Sequence, residues 1–326
     1  MGRESFFERV VGDLPEGDEE RLLNQSRERF QNQEFPDLAG REKEKTPEEV
    51  QIIFLANEVA NEVVRQYGAD DFDIPPKNVH IIKKEEWHND SADANFQSYP
   101  QAIAIKDIGS KILLAEMTAH EMIHFKSYGS LHVPPSEKPV ATRYRTGLEI
   151  SSQKDEKLYF TNLNEAITQR LTIQAFDRMK NDPIFADEIR KVNQLRARYA
   201  NAKGPDGKPI FTDDTLYACG YQENQGNIFQ KIFRPKPTRI TTIDLGYRDA
   251  RQNLDTLIKK IKEHSADPDI DEEKIFAAFV RGMITGKILP IARLVDKNLG
   301  KGTFRKLGEL GSISSIKEQK EFIDSL

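Results

Sequence analysis

Apolar positions return every three or four residues along several stretches of the chain, and each such stretch predicts an amphipathic helix. The first runs from Thr46 to about Tyr67, with Val50, Ile53, Phe54, Ala60 and Val63-Val64 as its stripe and Gly68 as its stop. Thr46-Pro47-Glu48-Glu49 is a start signal. Threonine caps, proline suits the first helical position, and the acidic pair complements the positive helix end. A second helix is expected from Ser110 to Tyr128, carrying Ile112, Leu113, Met117 and Ile123 between Gly109 and Gly129. A third starts at Asn164 and runs to about Lys180. Between the first two lie short β-branched or alternating runs, Val79 to Ile82 and Gln101 to Lys106, that predict strands. Residues 144–150 and 157–162 read as a hairpin around the polar turn Gln153-Lys154-Asp155-Glu156. Gly204, Pro205, Gly207 and Pro209 mark a loop. From Tyr217 onward the pattern is mostly helical, broken at Pro235 to Pro237 and near Asp267-Pro268.

Composition changes this picture at one end. Residues 1–45 hold 20 charged side chains and close on Arg41-Glu42-Lys43-Glu44-Lys45, which predicts a loosely ordered arm. Residues 46–130 then form an upper subdomain with the second helix, and 131–326 the hairpin, the third helix and a helical lower subdomain. With 31% charged residues and a mean hydropathy of -0.64, no run approaches membrane-spanning length. The net charge of -5 gives no basic field for nucleic acid. Cys219 is the lone cysteine, so neither a disulfide nor a thiolate zinc site is available, and cytoplasmic residence is expected. A metal site would therefore use histidines and carboxylates.

The second helix contains His120-Glu121-Met122-Ile123-His124. Side chains four apart share a helix face, so two imidazoles can converge on one ion. Glu121 sits about 100° round the helix, beside the pair, where it can reach a metal-bound water without being a ligand. A third ligand is needed. His132 lies eight residues past His124, and the glycine and histidine of the long metzincin pattern are replaced by Ser127 and Ser130. Glu165 lies at the start of the third helix, which could pack beside the second. Glu149, Asp155 and Glu156 are next in line.

His120-Glu121-x-x-His124 followed by Asn164-Glu165-Ala166-Ile167-Thr168 resembles the gluzincin branch of the zincin metallopeptidases, and the compact layout is similar to the minigluzincins. The resemblance covers roughly residues 46–300. It implies an α+β, zincin-like fold: a small mixed sheet with an edge strand over the active-site helix, followed by a mostly helical lower subdomain. It implies Zn²⁺ held by His120, His124 and Glu165, with Glu121 as general base. Asn164 and Gln169 would stand behind the ligands, and Gln169 departs from the acidic residue that many gluzincins carry there.

A zinc-dependent metallopeptidase acting on a peptide or protein substrate is thus expected, the alternative being a noncatalytic zinc-binding module for protein partners. The substrate would add to the edge strand at Ile103, Ala104 and Ile105. The resemblance also implies a tyrosine or histidine from the lower subdomain as oxyanion donor. Tyr221 is favoured and Tyr217 is its alternative, since both flank Cys219-Gly220 ahead of an apolar run. Arg143 and Arg145 are candidates for substrate carboxylates.

Overall fold

The computed structural model describes residues 5–12, 14–32, 35–88, 92–134, 141–152, 154, 157–203, 209, 221–223, 240–242 and 246–326. Its architecture is mixed α+β, with small mixed sheets and a helical C-terminal part. A five-stranded sheet has the order β1 (Phe7–Gly12), β5 (Gly129–Val133), β6 (Thr142–Thr146), β7 (Glu149–Ser151) and β8 (Leu158–Tyr159). Its first pair is parallel, the rest antiparallel. A three-stranded sheet has the order β2 (Val79–Ile82), β4 (Ala102–Lys106) and β3 (Ala94–Gln97). The expected hairpin is a meander, since Gly147 at φ +59° turns the chain inside the first predicted strand.

Ile103, Ala104 and Ile105 therefore do not form an edge. β4 lies between parallel β2 and antiparallel β3, and these three residues are at most 2% exposed. The run Ala-Ile-Ala-Ile is apolar on both faces, as a central strand requires. β3 is the edge strand, and it packs on the helix that carries the histidines.

Nor is the N-terminal region a loose arm. β1 pairs with β5, and helices α1 (Asp18–Asn32) and α2 (Pro36–Ala39) follow. The backbone at Arg41 and Lys43 covers the outer side of β2, with Lys43 N to Ile81 O at 2.9 Å and Lys83 N to Arg41 O at 3.2 Å. Phe6 is fully buried among Phe7, Phe96 and Phe125, at ring separations of 4.7, 4.7 and 6.0 Å. Gln101, in the left-handed region at φ +58°, accepts from Phe6 N at 3.0 Å and donates to Ser26 O at 2.7 Å. Charges fill the solvent face of this segment while a few spaced aromatics anchor it, an arrangement that average composition hides.

Helix α3 (Pro47–Gln66) begins as expected, with Thr46 and Glu49 forming a reciprocal capping box. Its core face keeps Ile53, Ala60, Val63 and Val64 of the predicted stripe and adds Ile52 and Ala56, whereas Phe54 is 56% exposed. Helix α4 (Lys111–Lys126) packs on α3 and on α5 (Thr161–Met179), and both its ends are fastened. At the start, Ser110 Oγ accepts from Leu113 N, and the Glu188 carboxylate takes Lys111 N at 2.8 Å, an anion on the positive helix end. Glu188 belongs to α6 (Ala186–Arg198). At the other end the buried Lys126 ammonium donates to Asn61 Oδ1 at 2.6 Å and to the Phe72 carbonyl. Asn61 in turn donates to Asp73.

Helix α5 starts at Thr161, three residues before the predicted Asn164, from Phe160 in the left-handed region at φ +64°. The C-terminal helices clamp that start. They are α7 (Arg248–Glu263), α8 (Glu272–Thr285), α9 (Leu289–Leu299), α10 (Thr303–Glu309) and α11 (Ile316–Ser325). Phe160 stacks on Phe304, and Asn162 N donates to Gly311 O at 2.7 Å. A Cβ at Gly311 would stand 2.4 Å from Phe160 N, so only glycine permits this approach. No helix among the described residues is long and apolar enough to cross a membrane.

Two outcomes follow from this packing. Phe6→Ala should lower the unfolding free energy by about 3–5 kcal/mol, measured by urea denaturation, whereas a loose arm would leave it unchanged. The second concerns Glu116 on α4. Burial, with the Asp177 and Glu188 charges, pushes its carboxyl from 4.5 up to about 8. Between those values the folded chain keeps a proton that the unfolded chain has lost, so stability should fall as pH rises. The slope is at most about 1.4 kcal/mol per pH unit for one group. Glu116→Gln cannot ionise, so it should gain on the wild type when denaturation is compared at pH 5 and pH 8. Parallel losses in both proteins would assign the slope to other groups.

Candidate metal centre

His120 and His124 stand on consecutive turns of α4, and Glu165 enters from the second turn of α5, 41 residues beyond His124. The imidazole Nε2 atoms lie 3.1 Å apart. Glu165 Oε2 is 3.3 Å from each. A tetrahedral ion with bonds of about 2.0–2.1 Å needs donors separated by about 3.3–3.4 Å. The triangle fits that requirement, and two imidazoles with one carboxylate leave a fourth position open. Among the described residues it is the one group of three or more such side chains able to hold a metal.

All three ligand candidates are at least largely buried, so their charges interact strongly. Against burial, the His124 charge and hydrogen bonds from both imidazoles hold the Glu165 carboxyl far below the usual carboxylate range. Burial opposes a charge on His124, but Glu165 outweighs it and raises the imidazole to about 9.

The side chains behind the triangle come from α5 and its approach. Gln169 Oε1 lies 2.9 Å from His120 Nδ1. Thr172 Oγ1 lies 3.4 Å from the same nitrogen and gives its own proton to Thr168 O at 2.8 Å. Both oxygens can thus accept from His120 Nδ1–H, so that once Nε2 gives up its proton its lone pair faces the triangle. Asn164 Oδ1 accepts from Leu148 N at 2.9 Å, and its amide nitrogen lies 3.4 Å from His124 Nδ1.

Glu121 is buried outside the triangle and accepts from the Phe96 N–H of β3. Burial pushes its carboxyl upward, opposed in part by the two imidazoles. The Asp93 carbonyl bonds β4 through Lys106 N, so alternation along the ladder turns Phe96 N outward, toward Glu121. Phe96 thereby joins the edge strand, Glu121 and the Phe6 cluster.

Tyr247 is the residue that the sequence reading missed. Its ring lies parallel to His120 at a centroid distance of 5.9 Å, and its hydroxyl hydrogen-bonds Glu165. Packing around the hydroxyl, then the Glu165 and Glu121 charges, raise its pKa and keep it protonated, while the side chain stays 40% open to solvent. A left-handed conformation, φ +46° and ψ +42°, sets Tyr247 at the start of α7. Tyr221, by contrast, opens strand β9 (Tyr221–Glu223), paired to β10 (Ile240–Thr242), so Gln222 and Glu223 are strand residues and not the expected start of a helix. Tyr217 lies outside the described residues, as do Asp155 and Glu156. Gly246-Tyr247 is a glycine-tyrosine pair like Gly220-Tyr221, and it enters an amphipathic helix.

The remaining candidates are committed elsewhere. Arg145 caps the end of α8 through Gly282 O and Gly286 O at 3.2 and 2.7 Å. Arg143 pairs with Glu149 at 3.0 Å, and Glu149 also accepts from Thr161 at 2.8 Å. His132 lies on β5, with its ring beside Tyr144.

If the triangle holds one ion, His120→Ala, His124→Ala or Glu165→Ala should each abolish stoichiometric zinc uptake, measured by elemental analysis after dialysis. Full uptake by Glu165→Ala would move the third ligand elsewhere. Compared with known proteins, the chain matches no family model, no curated protein and no solved structure.

Proposed function

We propose that the protein is a zinc-dependent peptidase. The reading is carried by one conjunction: a three-donor triangle with an open position, and beside it a buried carboxylate, Glu121, that no structural ion pair consumes among the described residues. A structural metal site has no use for that second carboxylate. The zincin likeness of the fold belongs to the same proposal and is supported by the motif pair, the edge strand β3 over α4 and the helical C-terminal part.

Zinc, when bound by His120, His124 and Glu165, would acidify a coordinated water and polarise the scissile carbonyl. Glu121 takes the water proton and delivers it to the leaving amine, and its raised pKa suits both halves of that transfer. The Phe96 N–H fixes the carboxylate's direction. Tyr247 replaces Tyr221 as the oxyanion donor of this reading, because its hydroxyl already reaches Glu165 and remains protonated. An extended substrate would pair with the outward groups of β3 that Glu121 leaves open, not with β4.

Hydrolysis of a mixed peptide library, followed by mass spectrometry and abolished by a chelator, tests the activity. Glu121→Gln should keep zinc and fold while lowering turnover about a hundredfold or more. Tyr247→Phe should lower kcat by roughly tenfold to a thousandfold with zinc content unchanged. Survival of cleavage in Glu121→Gln would end the proposed mechanism.

A further inference from the structure

The geometry points to Gln169 as the positioning residue that fixes His120 in its metal-binding tautomer and, by being neutral, keeps the bound metal exchangeable. The inference rests on the metal-centre reading above and concerns affinity, not turnover.

Three observations carry it. Gln169 is only 5% exposed, and its carbonyl oxygen makes the shortest contact to His120 Nδ1, at 2.9 Å. An amide oxygen accepts that N–H but adds no negative charge to the ring, so the imidazole is a weaker donor than one backed by a carboxylate. Among the described residues the side chain at His124 Nδ1 is Asn164, at 3.4 Å and likewise uncharged, with its carbonyl committed to Leu148 N. Neither ring is therefore strengthened in the usual way.

The surroundings give a reason for the amide. Glu121, Glu165 and Glu149 already bring three carboxylates to the centre, of which Glu149 is paired with Arg143 and Glu165 with the imidazoles. A fourth, buried at position 169, would add like charge beside them. With glutamine, the described ligands satisfy one another without an ion, and none of their polar atoms is orphaned. The fold then does not require metal, and loading becomes a separate equilibrium.

Gln169 also touches the segment that presents Tyr247. A Cβ at Gly246 would lie 3.3 Å from Gln169 Nε2 and 3.4 Å from its Cγ, so the glycine backbone rests directly on this side chain. Arg251 Nε holds the Gly246 carbonyl at 2.8 Å from one turn into α7. One amide thus buttresses both the first histidine and the approach to the tyrosine.

The test is the zinc dissociation constant, obtained by competition with a chromophoric chelator, for wild type, Gln169→Leu and Gln169→Glu. Gln169→Leu keeps bulk and removes the acceptor, and should bind zinc about 10- to 100-fold more weakly. Gln169→Glu restores a charged acceptor and should bind about tenfold more tightly or better. Circular dichroism of the metal-free proteins checks that each is folded. If Gln169→Glu does not fold, Gln169→Leu with Thr172→Val decides, since removing both acceptors should weaken binding beyond either change alone. Unchanged affinity in Gln169→Leu overturns the positioning role, and a folded Gln169→Glu no tighter than wild type overturns the effect of neutrality. A wild type that takes up no zinc overturns the metal-centre reading itself, a result distinct from both.

Discussion

Two imidazoles and a carboxylate held within 3.1 to 3.3 Å of one another in a largely buried setting are costly to assemble, because each gives up water. They stay together only if the helices that bear them cannot slide. That requirement accounts for much of what surrounds α4 and α5. Glu188 and Ser110 fasten the start of α4, and Lys126 fastens its end through a buried polar network to Asn61 and Asp73. The start of α5 is wedged by Phe160 against Phe304 and the glycines of the C-terminal helices. A shift of either helix by a fraction of a turn would separate Glu165 from the histidines.

The same constraint gives the two ends of the chain their roles. The N-terminal segment adds β1 to one sheet, shields β2 of another, and buries Phe6 against Phe96, whose backbone N–H meets Glu121. The C-terminal helices hold the start of α5 and supply Tyr247 from the entry to α7. Arg170, on α5, reaches Asp255 and Glu273 while lying over the Phe276 ring at 4.0 Å, tying the helix of Glu165 to α7 and α8. These exposed ion pairs are individually weak, and the packed ring beneath them gives the contact its persistence.

Much of the centre was legible along the chain, for a physical reason. His120, Glu121 and His124 lie on one helix, and helical periodicity alone fixes their relative directions. The capped start of α3, the strand at Val79–Ile82 and the α+β class were legible in the same local way. Glu165 was suggested by its sequence context but brought to the histidines by the packing of α5 on α4.

What only the tertiary structure decided is whatever depends on contacts between segments far apart. An apolar run such as Ala102 to Ile105 announces a strand, yet its neighbours set whether it is an edge, and the low-signal segment Ala94–Gln97 took that place. Charge counting could not see that Phe6 finds a pocket built by Phe96 and Phe125. Tyr221 and Tyr247 follow glycines in the same manner, and only the pairing of β9 with β10 and the entry of α7 beside α5 separate them. Local sequence sets backbone periodicity and the residues available, while the partners of each face are chosen by burial and hydrogen bonding summed over the whole chain.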